Sequence, residues 1–190
     1  MALPRFAVVD LETSGLDVGR HRILQLGMVL VEANGLVIDQ WSSLVKLRWP
    51  LQRVGPTHIH GITRRTLRGA PPLDDALDEL GRRMNGAVFT AHNAAFDSGF
   101  IVRAARRRPN DDPVRLGLEP RLCTLRLSRR LDPERELSHR LGDVCARYGV
   151  ALERPHDALG DAAATAAVLP HLLAAHGITQ TEQLEPFFVR

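Results

Sequence analysis

Lysine is almost absent from this chain of 190 residues. Lys46 is the sole lysine among 25 basic residues, and every other formal positive side chain is arginine. A guanidinium grips phosphate with two parallel donors where an ammonium offers a point charge, although a compositional bias of the source genome explains the pattern as simply. Cysteine is scarce as well. Cys123 and Cys145 are too few for a disulfide framework; they read as core residues and fit a reducing compartment such as the cytoplasm. The opening Met1-Ala2-Leu3-Pro4-Arg5 has no basic segment followed by a long apolar one, so no signal peptide is expected. No apolar run approaches membrane-spanning length, and no membrane partner is expected. Internal repeats and low-complexity tracts are also missing.

What remains suffices for one domain of ordinary size. Hydrophobic residues make up 44% and charged residues 25%, which allows a single sizeable core and argues against disorder. A formal net charge of +3 permits a polyanionic partner without demanding one.

The chain is organised around Arg5-Phe6-Ala7-Val8-Val9-Asp10-Leu11-Glu12-Thr13-Ser14-Gly15-Leu16. An apolar run reads as a buried strand and ends in two carboxylates. Strand side chains alternate, so Asp10 and Glu12 project the same way. Carboxylates at the end of a core strand are costly to desolvate unless something positive meets them, and a hard divalent cation is the usual solution. The bland alternative is that both acids sit in water.

Beyond a polar loop, Ile23–Glu32 and Leu36–Leu47 read as strands joined by a tight Asn34-Gly35 turn. Trp49-Pro50 and Gly55-Pro56 mark a loop, and Thr63 is a possible cap for a short helix. Pro71-Pro72 opens a helix with Leu73, Ala76, Leu77, Leu80 and Met84 on one face; Asp74, Asp75, Asp78 and Glu79 form its solvated face. Ala87–Ala91 is a short strand. A helix is predicted from about Asp97 to Arg108, with Arg103, Arg106, Arg107 and Arg108 outward. Arg121–Leu127 reads as another strand running into a short helix near Ser128–Leu131. Leu141, Val144, Cys145 and Tyr148 mark a further helix, stopped by Gly149. The last helix opens after Pro155-His156-Asp157 and runs to about Ala175, with Pro170 expected to kink or split it. A meander followed by alternating strands and helices predicts an α/β fold, a mixed sheet flanked by helices.

Asp10, Glu12, Asp97 and Asp161 each stand at an element edge or helix beginning. Four carboxylates can hold two Mg²⁺ ions ~3.5–4 Å apart, an arrangement suited to in-line phosphoryl displacement. His156, five residues before Asp161, lies just outside the helix and can take a proton near neutral pH. Asp157 is expected to point away from His156, because facing it would favour the protonated imidazole. The remaining histidines read as packed or solvated.

These motifs resemble those of the DEDDh 3′–5′ exonucleases. Val9-Asp10-Leu11-Glu12-Thr13-Ser14-Gly15 is similar to the family's first motif, His92-Asn93-Ala94-Ala95-Phe96-Asp97 to its second, and His156 through Asp161 to its third. Ile59-His60-Gly61-Ile62-Thr63 resembles a segment between the first two. The nearest likeness is to proofreading epsilon subunits of bacterial DNA polymerase III, with ribonuclease T and oligoribonuclease more distant. The resemblance covers roughly residues 5–176 and implies a ribonuclease-H-like mixed sheet, three antiparallel strands and then parallel ones. It implies that Asp10 bridges two Mg²⁺ ions (with Mn²⁺ as a substitute), that Glu12, Asp97 and Asp161 complete the cluster, and that His156 is the general base. It further implies that Thr13 and Leu16 meet the terminal nucleotide, Leu16 as an apolar wedge, and that Asn93 lies near the substrate backbone. His92 is expected either to support the fold or to touch substrate.

The resulting expectation is a metal-dependent 3′–5′ exonuclease acting on the 3′ end of single-stranded DNA in proofreading or repair. The alternatives are an exoribonuclease, or a non-catalytic domain that binds a polymerase; the intact acid set argues against the last. Residues 1–176 would form the nuclease domain and 177–190 a tail. Gln183-Leu184-Glu185-Pro186-Phe187-Phe188 in that tail faintly resembles a sliding-clamp docking peptide, or else folds back on the core.

Overall fold

The computed structural model describes residues 2–49 and 52–189. Met1, Pro50 of the predicted loop and Arg190 of the predicted tail lie outside the described residues.

Three strands come first: β1 (Phe6–Thr13), β2 (Ile23–Val31) and β3 (Val37–Leu44). Three short segments then lead to the parallel part of the sheet: α1 (Thr57–His60), a 3₁₀ turn at Thr66–Gly69, and α2 (Leu73–Met84). There follow β4 (Val88–Ala91), α3 (Ala94–Ala104), α4 (Pro113–Leu116), β5 (Arg121–Cys123), α5 (Thr124–Arg130), α6 (Leu141–Arg147) and α7 (Ala158–Ala175). A 3₁₀ segment, Thr181–Phe187, and a two-residue strand β6 (Phe188–Val189) close the described chain. The six strands form one sheet in the order β3-β2-β1-β4-β5-β6. The β1–β2 and β2–β3 pairs are antiparallel, β1–β4 and β4–β5 parallel, and β5–β6 antiparallel. This is the expected α/β ribonuclease-H-like mixed sheet, with one extra antiparallel edge.

β1 is central and covered on both sides, which is why its sequence is a nearly unbroken apolar run. Ala7, Val9 and Leu11 pack with Leu77, Leu80, Met84, Phe100 and Ile101 from α2 and α3. Phe6 and Val8 face the other way, onto Leu127, Val144, Val168, Leu169 and Leu172 from α5, α6 and α7.

Several expectations need correction. The helix bearing Asp97 starts earlier and ends sooner than expected, at Ala94–Ala104 with a 3₁₀ turn over Ala105–Arg107. β5 stops at Cys123, and the next helix begins at Thr124 rather than near Ser128. Pro170 does not split α7. A proline deletes one helical hydrogen bond, and burial of Val168, Leu169, Leu172 and Leu173 holds the turns on either side. α7 is also 18 residues long with mean hydropathy 1.4, long and apolar enough to cross a bilayer, but half of it is buried in the protein. The segment from Gly177, for which a docking peptide and a fold back on the core were the two expectations, packs against the domain. Ile178, Leu184 and Phe187 are buried, and β6 pairs with β5.

Candidate active site

Strand alternation puts Asp10 and Glu12 on the same face of β1 as Phe6 and Val8, the face that α7 covers. In the β1–β2 ladder Asp10 stands opposite Gly27. A Cβ on Gly27 would lie 2.2 Å from the backbone of Ala158, so a side chain there is excluded and the start of α7 rests directly on β2. Asp161, in the first turn of α7, is thereby brought against the β1 acids. Asp157 fixes that start by accepting from the Gly160 N–H at 2.9 Å. Gln25 of β2 ties it down from beneath. Its amide nitrogen donates to the second Asp157 oxygen at 3.2 Å, and its carbonyl oxygen accepts from the Ala158 N–H at 3.4 Å. Both oxygens of Asp157 are thus turned to the helix start and β2.

Asp97 arrives from the other side, buried in the first turn of α3. The backbone N–H groups of Asp97 itself and of Leu11 hydrogen-bond to its carboxylate, fastening α3 to the end of β1. Glu12, His156 and Asp161 each offer one ligand atom, all within 4.8 Å of one another. His156 is exposed and has φ of 62°, a left-handed conformation uncommon for a residue with a Cβ. Its backbone N–H donates to the Asp161 Oδ2 at 3.2 Å, coupling the loop to the acid.

The electrostatics are those of an acid cluster lacking its counter-charge. Burial, then the charges of Asp97, Asp161 and Glu12, hold the Asp10 carboxyl well above its usual range. Burial first and Asp161 second push Glu12 up to about 7. Burial dominates over two backbone hydrogen bonds at Asp97 and pushes it up to about 8. Asp161 is raised mainly by burial. Among the described residues no arginine or lysine pairs with any of the four. The Asp161 Oδ1 is buried without a hydrogen-bond partner. Buried oxygens left unpaired are expensive, and a divalent cation, which takes oxygen ligands, resolves them together. The residues fit a divalent metal.

The other predicted site residues lie around this cluster. Leu16 stands 82% exposed beyond the end of β1, an apolar side chain with no packing role inside the protein. Thr13 is buried, and its hydroxyl donates to the Gly15 carbonyl at 2.8 Å. Asn93 is exposed at the start of α3. His92 has both ring nitrogens engaged, one with the Thr124 hydroxyl at 3.1 Å and one with the His139 carbonyl at 2.8 Å. That ties the end of β4 to α5 and the 131–140 loop, and leaves its ring no free nitrogen for substrate. His60 bridges the Val54 carbonyl and the Ile62 N–H, so it is a structural residue of its loop. Gln25 and Gly27 were not singled out from sequence. The period-2 alternation that places both on one face of β2 was a usable signal, but their task becomes visible only once α7 is known to land there.

Residues 7–169 match the exonuclease family that contains RNase T. The chain belongs to this exonuclease family. A PolC-type DNA polymerase III from Streptococcus thermophilus is 34% identical over 183 residues, covering 94% of this chain and 12% of that protein. One from Halalkalibacterium halodurans is 34% identical over 168 residues, covering 86% and 11% respectively. The chain therefore spans about an eighth of the length of the curated relatives it matches. Among solved exonuclease structures, exonuclease X in complex with 5′-overhanging duplex DNA superposes with a TM-score of 0.70 at 26% identity, covering 96% of this chain and 98% of that one. Escherichia coli exonuclease I with a dT13 oligonucleotide gives 0.74 at 19% identity, covering 92% and 42%. The nuclease domain of 3′hExo, a DEDDh family member bound to rAMP, gives 0.70 at 16% identity, covering 93% and 94%. The latter two likenesses bear on the fold alone.

Proposed function

We propose that this exonuclease-family chain hydrolyses phosphodiester bonds from the 3′ end of single-stranded DNA, releasing nucleoside 5′-monophosphates in proofreading or repair. The observation that carries the reading is the meeting of Asp10, Glu12, Asp97 and Asp161, from three separate elements, beside His156. The four carboxylates would hold two divalent ions of the Mg²⁺ class, Mn²⁺ being an acceptable substitute. When bound, such a pair supplies charge neutralisation at the scissile phosphate and alignment of the attacking and leaving oxygens. His156, exposed beside Glu12 and Asp161, takes the proton of the attacking water at an imidazole nitrogen. Leu16 wedges against the terminal base, and Thr13 and Asn93 line the approach of the last nucleotide. The relatives support this substrate class. PolC-type DNA polymerase III is a DNA polymerase, and exonuclease X is seen with DNA.

A polymerase partner is part of the proposal for the same reason. Docking to a sliding clamp through 183–188 would require Leu184 and Phe187 to leave the core. Cys123 and Cys145, both free, support placing the activity in the cytoplasm. The test is incubation of matched end-labelled DNA and RNA oligomers with Mg²⁺, Mn²⁺ or chelator. We expect mononucleotide release from the 3′ end, faster on DNA, abolished by chelator and by Asp10→Ala. Faster release from RNA would make the enzyme an exoribonuclease, and no release from either would end the catalytic reading.

A further inference from the structure

A second feature lies on the far side of the loop that follows β1. A cleft of about 270 Å³ opens between that loop and the end of α3, lined by His21, Arg22, Arg48, Arg103, Arg106 and Arg107. Phe100 contributes an apolar wall, and no carboxylate lines the cleft. Two of the guanidinium groups hold the walls in place. Arg103 donates to the Val18 carbonyl, and Arg22 donates to the carbonyls of Arg20 and His21. Arg48, Arg106 and Arg107 are exposed and have no ion-pair or hydrogen-bond partner among the described residues. The contrast with the next residue is sharp. Arg108 turns the other way and is neutralised by Asp74, Asp78 and Asp112. Unneutralised cations gathered in one concavity raise the local potential and attract a polyanion.

The cleft is joined to the catalytic cluster by the same two elements. The His21 ring lies against Gly15, where a Cβ would be 2.5 Å from it, and bonds the Ser14 hydroxyl at 3.2 Å. Both contacts fall on the two residues just before Leu16. On α3, Asp97 precedes Arg103 by six residues, or about 9 Å at 1.5 Å per residue, and Arg106 and Arg107 lie on the 3₁₀ turn just beyond its end. At about 3.4 Å per nucleotide along one strand, the roughly 9 Å to Arg103 and roughly 14 Å to Arg106 and Arg107 correspond to about three to four nucleotides.

We infer that this arginine cleft binds the phosphodiester backbone of the strand whose 3′ end occupies the acid cluster, three or four nucleotides upstream of the reacting bond. The inference rests on the exonuclease reading for its direction. It makes affinity depend on substrate length, because a dinucleotide is too short to reach the cleft.

The test compares wild type with Arg106→Ala/Arg107→Ala and with Arg48→Ala. Three substrates are used: thymidine 5′-p-nitrophenyl phosphate, (dT)2 and (dT)10. Neither variant should change turnover of the first two. KM for (dT)10 should rise about ten-fold in the double variant. For two lost phosphate contacts on a single strand, the slope of log KM against log salt should flatten by about 1.4. An unchanged KM for (dT)10 overturns the inference, as does an equal loss on the nitrophenyl ester, which would mark the arginines as structural. A wild type inactive on all three substrates would instead sink the reading as an exonuclease on DNA. The cleft is then judged by anisotropy of labelled (dT)10, where equal binding by wild type and double variant overturns it.

Discussion

His156 is the exposed member of the trio it forms with Glu12 and Asp161, and it lies in a loop outside any strand or helix. Its position depends on a left-handed backbone and one hydrogen bond to Asp161. His156→Ala should lower kcat by about 10²–10⁴, the usual contribution of a general base, with little change in KM. Rate measurements under saturating substrate check this, and a loss confined to KM would remove His156 from the proton transfer. The acids make a different prediction. In the metal-free protein the folded carboxyls of Glu12 and Asp97 hold protons up to about 7 and about 8, against ordinary values of 4.5 and 3.8. Between those limits unfolding releases protons, because the unfolded chain binds fewer of them. Stability must therefore fall as pH rises through this window and level off above it. Thermal melts in chelator at pH 5.5, 7 and 8.5 should show a declining Tm. Saturating Mg²⁺ should raise the Tm most at pH 8.5, where the carboxylates are free to bind it.

The elements meet at one tight point, where α7 lands on β2. Gly27→Ala places a methyl 2.2 Å from the Ala158 backbone, and neither strand nor helix end can yield without moving Asp161. Overpacking of this kind costs about 1–3 kcal/mol, which is roughly 2–4 °C of Tm per kcal/mol in a domain of this size. Activity should fall further than that loss of stability explains, since the acids would no longer share one position. Circular dichroism melts alongside turnover measurements separate the two effects. Asp157→Ala removes the α7 cap and should cost about 1 kcal/mol. A fall in Mg²⁺ affinity, read by titration calorimetry, should accompany it because Asp161 sits one turn along. The helices themselves were legible from sequence because their signals are local. The apolar stripe from Leu73 to Met84 predicted α2, and the Asn34-Gly35 turn is where it was expected. The boundary at Ala94 was missed although Asn93, a favoured cap type, precedes it, and the one at Thr124 follows Cys123, which gives no cap signal; neither start forms a side-chain cap hydrogen bond.

Across the whole molecule, the described chain is tied together from end to end. Thr181 donates to the Ala2 carbonyl at 2.8 Å, β6 extends the sheet, and Phe187 packs its ring at 4.7 Å from that of His176. A tail so placed stabilises the nuclease fold. Phe187→Ala should cost about 3–5 kcal/mol, and deletion of 181–190 at least as much, both measured by denaturant titration. If the deletion left stability unchanged, the segment would be a free docking peptide after all.

The order of motifs, read through the family resemblance, offered Asp10, Glu12, Asp97, His156 and Asp161 as site candidates, and strand alternation and helix periodicity, being local properties, were enough to predict a mixed sheet flanked by helices. Three things lay beyond its reach. The landing of α7 on Gly27, the burial of Leu184 and Phe187, and the division of neighbouring arginines between a neutralised Arg108 and a bare Arg106 and Arg107 each depend on segments far apart in the chain. Contacts of that kind are set by how the layers pack. Packing closes distances that no local pattern encodes.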